Sequence, residues 1–271
     1  MLELDHICHG FRTKTFYLCD APFDVENVDS VQFRYLRNKS NAEGFDCYED
    51  RTIILDLSRG EEAVWRNMAG KCRSDIRKAE NIQIDLKRNS NCEAFVELMD
   101  RFRASKELDP LPEPQELIAR IRSPLPDYFA LFTAEHVGEL LGGVLFIKDE
   151  KQMIGIIAAS NRLEVDKERR NLIACVNRLL WWEAIRYGVR EGLDVLDMGG
   201  YFKGTLQCKK DPTLEGVSEF KRRFGGEIVP RYEYKKDYTY RMKMARYLAK
   251  TYRAIRSLPM SRPAPNELNT I

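Results

Sequence analysis

Tyr128-Phe129-Ala130-Leu131-Phe132-Thr133, Gly138-Glu139-Leu140-Leu141-Gly142-Gly143-Val144-Leu145-Phe146-Ile147 and Met153 to Ala159 are three apolar runs of strand length and composition. Their connections, Ala134 to Val137 and Lys148 to Gln152, are short and polar. A parallel return between neighbouring strands needs about a dozen residues or more, so the three runs are expected to form a consecutive antiparallel meander.

Outward from this meander the helical period takes over. Upstream, Ser58-Arg59-Gly60-Glu61 has capping-box spacing and predicts the start of one helix. Its apolar face is Val64, Met68, Cys72 and Ile76, and Arg66, Arg73 and Arg77 share another face. A short strand Ile82 to Leu86 follows, then helices marked by Phe95, Leu98, Met99 and Phe102 and by Pro114 to Ile121. Downstream, a long helix is expected from about Asn171 to Glu191, stopped by Gly192, and a short strand Val195 to Met198, released by Gly199-Gly200. A helix from about Leu214 to Phe224 and a strand Glu227 to Tyr234 complete the pattern. This order is neither a doubly wound sheet nor an all-β barrel. It predicts an α/β, GNAT-like acyl-CoA N-acyltransferase fold with a mixed, largely antiparallel central sheet flanked by helices. Three divisions are expected: residues 1–57 as a strand-rich cap or remnant of a first such domain, 58–240 as the main domain, and 241–271 as a basic helix and frayed tail. In the cap, strands are read at Thr15 to Leu18, Val31 to Leu36 and Thr52 to Leu57, while His6-Ile7-Cys8-His9 reads as an irregular N-terminus.

Composition narrows the function classes. With 271 residues, 44% hydrophobic and 32% charged, the chain can bury a full core. A net charge of +2 supplies no global field for nucleic acid, so any such role rests on local clusters. Seven cysteines without CxxC spacing read as reduced thiols, and no metal site is expected. No stretch approaches the roughly 18 apolar residues that span a bilayer, and a cytoplasmic protein is expected. His136 lies in a tight hairpin, which disfavours a Ser-His-Asp mechanism.

Three places can carry chemistry. Asp197 ends a strand before Gly199-Gly200-Tyr201, where glycines let the backbone approach a ligand; a turn capped by the Asp197 side chain is the alternative. Phe220 and Phe224 pin a helix whose Lys221 and Arg222 are candidates for gripping a phosphate or carboxylate, or simply complement the helix C-terminus. Lys71, Arg73, Arg77 and Lys78 form a local basic patch with a single acid, Asp75, readable as an anion clamp or a solvated helix end.

Lys71-Cys72-Arg73-Ser74-Asp75-Ile76-Arg77-Lys78-Ala79, Leu196-Asp197-Met198-Gly199-Gly200 and Glu219-Phe220-Lys221-Arg222-Arg223-Phe224-Gly225-Gly226 resemble, in order, the signatures of the FemABX-like and BioF2-like acyltransferase superfamily. The resemblance covers about residues 50 to 235. It implies an acyltransferase that moves an acyl group, acetyl by expectation, onto an amine or hydroxyl of a small molecule, sugar or cell-envelope precursor. Acyl-CoA is the implied donor, and charged transfer RNA the alternative. The resemblance makes Lys221 and Asp197 the candidate catalytic pair and places Arg73 and Arg77 near a substrate groove. Substrate contacts are also expected from Gly199, Gly200, Tyr201, Phe220 and Arg222. In acyltransferases of this fold the pyrophosphate of coenzyme A sits after the meander, which here brings in Arg162, Arg169, Arg170 and Asn171. The glycine-rich cradle usual there is absent. A noncatalytic RNA- or membrane-binding module is the competing class, built on a final helix from about Tyr240 to Leu258. Met244, Ala245, Leu248, Tyr252 and Ile255 mark its apolar face and Lys243, Arg246, Lys250 and Arg253 its basic face. Burial of the apolar face against the domain is expected.

Overall fold

The computed structural model describes residues 1–104, 115–162, 165–203, 205 and 213–256. Lys209, Lys210, Pro114 and the tail after residue 256 lie outside that set.

Ten strands form one sheet: β1 (Leu2–Cys8), β2 (Phe11–Tyr17), β3 (Ser30–Leu36), β4 (Asp46–Asp56), β5 (Asp85–Arg88), β6 (Phe129–His136), β7 (Glu139–Lys148), β8 (Gln152–Ser160), β9 (Val195–Gly200) and β10 (Glu227–Asp237). Their spatial order is β1-β2-β3-β10-β4-β9-β8-β7-β6-β5. Every pairing is antiparallel except β2 with β3 and β8 with β9. The meander is β6-β7-β8, and the mixed, largely antiparallel sheet is the one expected. β1, read from sequence as irregular, closes a hairpin with β2, and Leu2 and Leu4 are buried.

The helices are α1 (Glu61–Asn67), α2 (Gly70–Glu80), α3 (Cys92–Ala104), α4 (Gln115–Ile118), α5 (Lys167–Arg190), α6 (Thr213–Arg222) and α7 (Tyr240–Arg256). Meander side chains alternate between two cores. Ala130, Phe132, Val144 and Phe146 pack with α1, α2 and α5, while Phe129, Leu131, Leu145 and Ile147 pack with α3 and α4. Burial on both faces is why these strands read as unbroken apolar runs instead of alternating ones.

The single helix expected from Ser58 is two. The Ser58 hydroxyl donates to Asp56 Oδ1 at 2.6 Å, so it does not cap; Gly60 precedes α1 with no side-chain cap. Met68 turns extended (ψ 145°), and one terminal nitrogen of Arg73 donates to the carbonyls of Trp65, Arg66 and Met68. The helix stops because its last carbonyls have a partner outside it. α5 begins four residues before the sequence reading, since Asp166 caps it by accepting from the Arg169 amide at 2.8 Å and its first turn is polar. Asp75, 4% exposed, joins α2 to α5: Lys71 donates to it at 2.6 Å, and Arg178 Nε lies 3.5 Å away as a charge contact without hydrogen-bond geometry. Among the described residues, no helix is long and apolar enough to cross a membrane.

Candidate active site

The sheet opens at its parallel seam. β8 and β9 pair only over Gln152–Ile154 and Val195–Asp197. Beyond that point each strand carries an irregularity. Gly155 and Ile157 of β8 face the adjacent residues Phe146 and Leu145, so one residue of β8 is extra; Asp197 and Gly200 of β9 face Ile54 and Thr52, again one residue long. A bulge leaves its extra residue outside the ladder and bends the strand. A cavity of about 830 Å³ occupies the opening, with Gly155 to Ala158 on one wall and Met198 to Gly200 on the other.

Lys221 lines this cavity, and Asp197 adjoins the lining residue Met198, close enough for its charge to act on Lys221. Asp197, 2% exposed, accepts on Oδ1 from the Gly199 amide at 2.6 Å and from the Thr52 hydroxyl. Gly199 has φ +76°, and a Cβ there would stand 2.8 Å from the Gly155 carbonyl oxygen, so glycine is required on both counts. Lys221 extends from α6 and donates from Nζ to the Gly200 carbonyl at 3.0 Å. The residue as a whole is half-buried, but its amine is enclosed by protein. Burial pushes the Lys221 amine down to about 8; the negative charge of Asp197 opposes the fall, Arg231 adds to it and Asp50 resists it.

A second charged group completes the cavity, and sequence reasoning missed it. Arg231 of β10, 8% exposed, donates to Asp50 Oδ2 at 2.8 Å and lies 4.3 Å from the centre of the Tyr35 ring. Burial disfavours its charged form, but Asp197, Tyr35 and Asp50 outweigh that and raise its proton affinity. Arg34 of β3 reaches Glu233 at 3.4 Å and also lies over Tyr35, at 4.7 Å. Tyr35 has φ +65°, a strained value for a tyrosine, at a bulge where Phe33 and Leu36 face Tyr234 and Tyr232. The bulge sends Phe33 and Leu36 into one core and Tyr35 towards the other, at the cavity. The available signal was Arg34 within the apolar run Val31 to Leu36, a charge where a strand core was expected.

The other residues singled out from sequence are dispersed. Gly199 and Gly200 line the cavity. Tyr201 is buried behind it, its amide donating to the Arg51 carbonyl at 2.7 Å. Phe220 packs on Phe224 with ring centres 5.5 Å apart, beneath Arg178. Arg222 is exposed and forks onto Glu219 at 2.9 and 3.0 Å. Arg73 holds the end of α1, and Arg77 lies over Trp65 at 5.4 Å; neither lines the cavity. Arg162 and Asn171 are exposed at the approach to α5 and along its first turns. Arg169 pairs with Glu139, and Arg170 donates to the Val165 carbonyl at 3.0 Å. The four form no cluster with Lys221.

Residues 66–222 match the profile of the acetyltransferase (GNAT) domain. The chain belongs to this GNAT acetyltransferase family. The match runs from the end of α1 to the end of α6, so it contains the seam, Asp197 and Lys221. Two solved structures share the GNAT-like architecture. FemX superposes with a TM-score of 0.59 at 14% identity over 82% of this chain and 75% of its own. The C-terminal domain (DUF2156) of an Agrobacterium fabrum protein described as a lysylphosphatidylglycerol synthetase superposes at 0.55, with 9% identity over 92% and 88% of the two chains. The fold of this GNAT protein is thus that of the FemABX-like group. No curated protein sequence matches it.

Proposed function

We propose that this GNAT protein transfers an acyl group from an activated donor directly to an amine or hydroxyl acceptor within the cavity at the β8–β9 seam. The observation that carries the reading is the Lys221 amine at the cavity wall, bonded to the Gly200 carbonyl at 3.0 Å and in the field of Asp197, with the bulged backbone of β8 lining the same cavity. In direct attack, the acceptor lone pair forms a bond to the acyl carbon while the carbonyl electron pair moves onto oxygen. Collapse returns that pair and expels the donor's leaving group, which takes up the proton that the acceptor gives up. Groups placed for the developing charge serve such a step best. Lys221 in its ammonium form is assigned that task, with backbone amides at the β8 bulge as partners. Asp197 is a positioning residue: it ties Gly199 and Thr52 together and keeps a negative charge near Lys221.

The donor is a finer question. A coenzyme A pyrophosphate would be expected at the start of α5. There the Asp166 carboxylate already takes the Arg169 amide, and Glu139 takes the Arg169 guanidinium. These residues fit a pyrophosphate poorly. The same occupancy favours a second reading, in which the acyl group arrives as an aminoacyl ester on charged transfer RNA. Mass spectrometry of molecules retained on native purification, followed by calorimetric titration with acetyl-CoA, separates the two. A retained thioester with saturable binding supports coenzyme A, and a retained charged RNA supports the ester. Full transfer activity in Lys221→Met would sink both.

A further inference from the structure

α7 is turned against the usual rule for a surface helix. Placing its residues at 100° intervals groups Tyr240, Met244, Tyr247, Leu248 and Tyr252 on one side. That side faces away from the protein: Tyr240 is 76% exposed, Tyr247 66%, Leu248 60% and Tyr252 63%. The opposite side is the one that docks, with Met242 half-buried and Arg246 bonded to Asp237 and Ser30. Of the face expected to pack on the domain, Met244, Leu248 and Tyr252 are therefore exposed, while Ala245 is half-buried at its edge and the Ile255 side chain lies outside the described ones.

Charge says what would cover it. The sequence of α7 holds Arg241, Lys243, Arg246, Lys250, Arg253 and Arg256 and no acid. Lys243 is exposed at the edge of the apolar stripe, and Arg241, also exposed, lies 5.8 Å from the centre of the Phe11 ring. A helix of 17 residues, about 25 Å long at ~1.5 Å per residue, can lie flat along a surface. Three tyrosines among aliphatic residues suit the boundary between headgroups and acyl chains, where an apolar ring and a polar hydroxyl are both satisfied. Nucleic acid would need the cations outermost and has no use for Met244 and Leu248, whereas here Arg246 is committed inward. A second copy of the chain would bring like charge against like charge.

We infer that α7 is an interfacial helix that seats the protein on an anionic lipid bilayer, with its tyrosine and aliphatic stripe in the headgroup boundary and the exposed Lys243 on the lipid phosphates. The site proposed for acyl transfer plays no part in this inference. The full chain is tested by flotation with vesicles of phosphatidylcholine alone and of phosphatidylcholine with phosphatidylglycerol in equal parts. Binding is expected only to the second and is weakened by salt. Lys243→Glu should lower the partition coefficient about fivefold or more, the effect of a cation near a charged membrane surface. Tyr247→Glu with Leu248→Glu should abolish flotation while the melting temperature stays within a few degrees, since both side chains are exposed. Failure of the unaltered chain to float, or equal flotation of the double variant, overturns the inference. So does light scattering that shows a dimer broken by Leu248→Glu, or retention on single-stranded RNA that the double variant loses.

Discussion

Lys221 combines two demands that conflict, and the conflict is measurable. Its amine holds a proton only to about 8, whereas the unfolded chain holds it to the ordinary 10.5. Between those values the unfolded state binds more protons, so stability rises with pH across this window. Below it, the native state carries the cost of a buried charge. Lys221→Met should therefore raise the melting temperature at pH 7, and that advantage should shrink as pH rises from about 8 to 10.5. The same variant should lose transfer activity by about 10²–10³-fold, the usual effect of removing one group that stabilises an oxyanion. With the ammonium as the working form, kcat/KM of the unaltered protein falls as pH rises through about 8. A rate that climbs instead would assign Lys221 as a base. Asp197 and Lys221 were legible in the sequence because glycines and an apolar pair mark their surroundings. Arg34, Tyr35 and Arg231 were not, because a cavity partner roughly two hundred residues away leaves no local spacing to read.

At the level of elements, two contacts control the seam and its support. Gly199→Ala would place a methyl group against the Gly155 carbonyl in a backbone conformation that L-residues avoid. A destabilisation of about 2 kcal/mol follows from the dihedral alone. Urea titration should show it, with transfer activity falling further as β8 and β9 are pushed apart. Between α2 and α5, Asp75→Ala leaves the half-buried Arg178 without its counter-charge. Breaking one partner of a buried pair costs about 3–5 kcal/mol. Substitution of Lys71, which is exposed, should cost less than about 1 kcal/mol, so paired unfolding curves distinguish the two partners of Asp75. The helix and strand types followed from apolar period, but the break between α1 and α2 did not. It depends on Arg73 folding back onto carbonyls of α1, which is not visible as a period.

For the whole molecule, β10 is the tie. It enters between β3 and β4, so the last strand of the sheet is held on both sides by segments from the first 56 residues. Removing residues 1–36 would strip β10 of one neighbour and take Arg34 and Tyr35 from the cavity. An exposed, unpaired edge invites association between chains. The truncated protein should elute as aggregate in size-exclusion chromatography and lack transfer activity, whereas a well-behaved, active monomer would show that the N-terminal strands are dispensable.

Apolar period and loop length by themselves determined the meander and the helices packed on it, because each depends on residues close in the chain; the acyltransferase class followed from the resemblance of the separated motifs and the family match. The separated Asp197 and Lys221 segments were singled out as candidates for the same local reason, and Lys221, Gly199 and Gly200 line the cavity. Tertiary structure alone decided that β8 and β9 part to make a cavity and that β3, β4 and β10 furnish its second charged wall. It also decided that α7 turns its apolar face outward. Strand pairing across the whole chain and the docking of Arg246 on Asp237 set these features, and no local pattern records which face of an amphipathic helix the protein will claim.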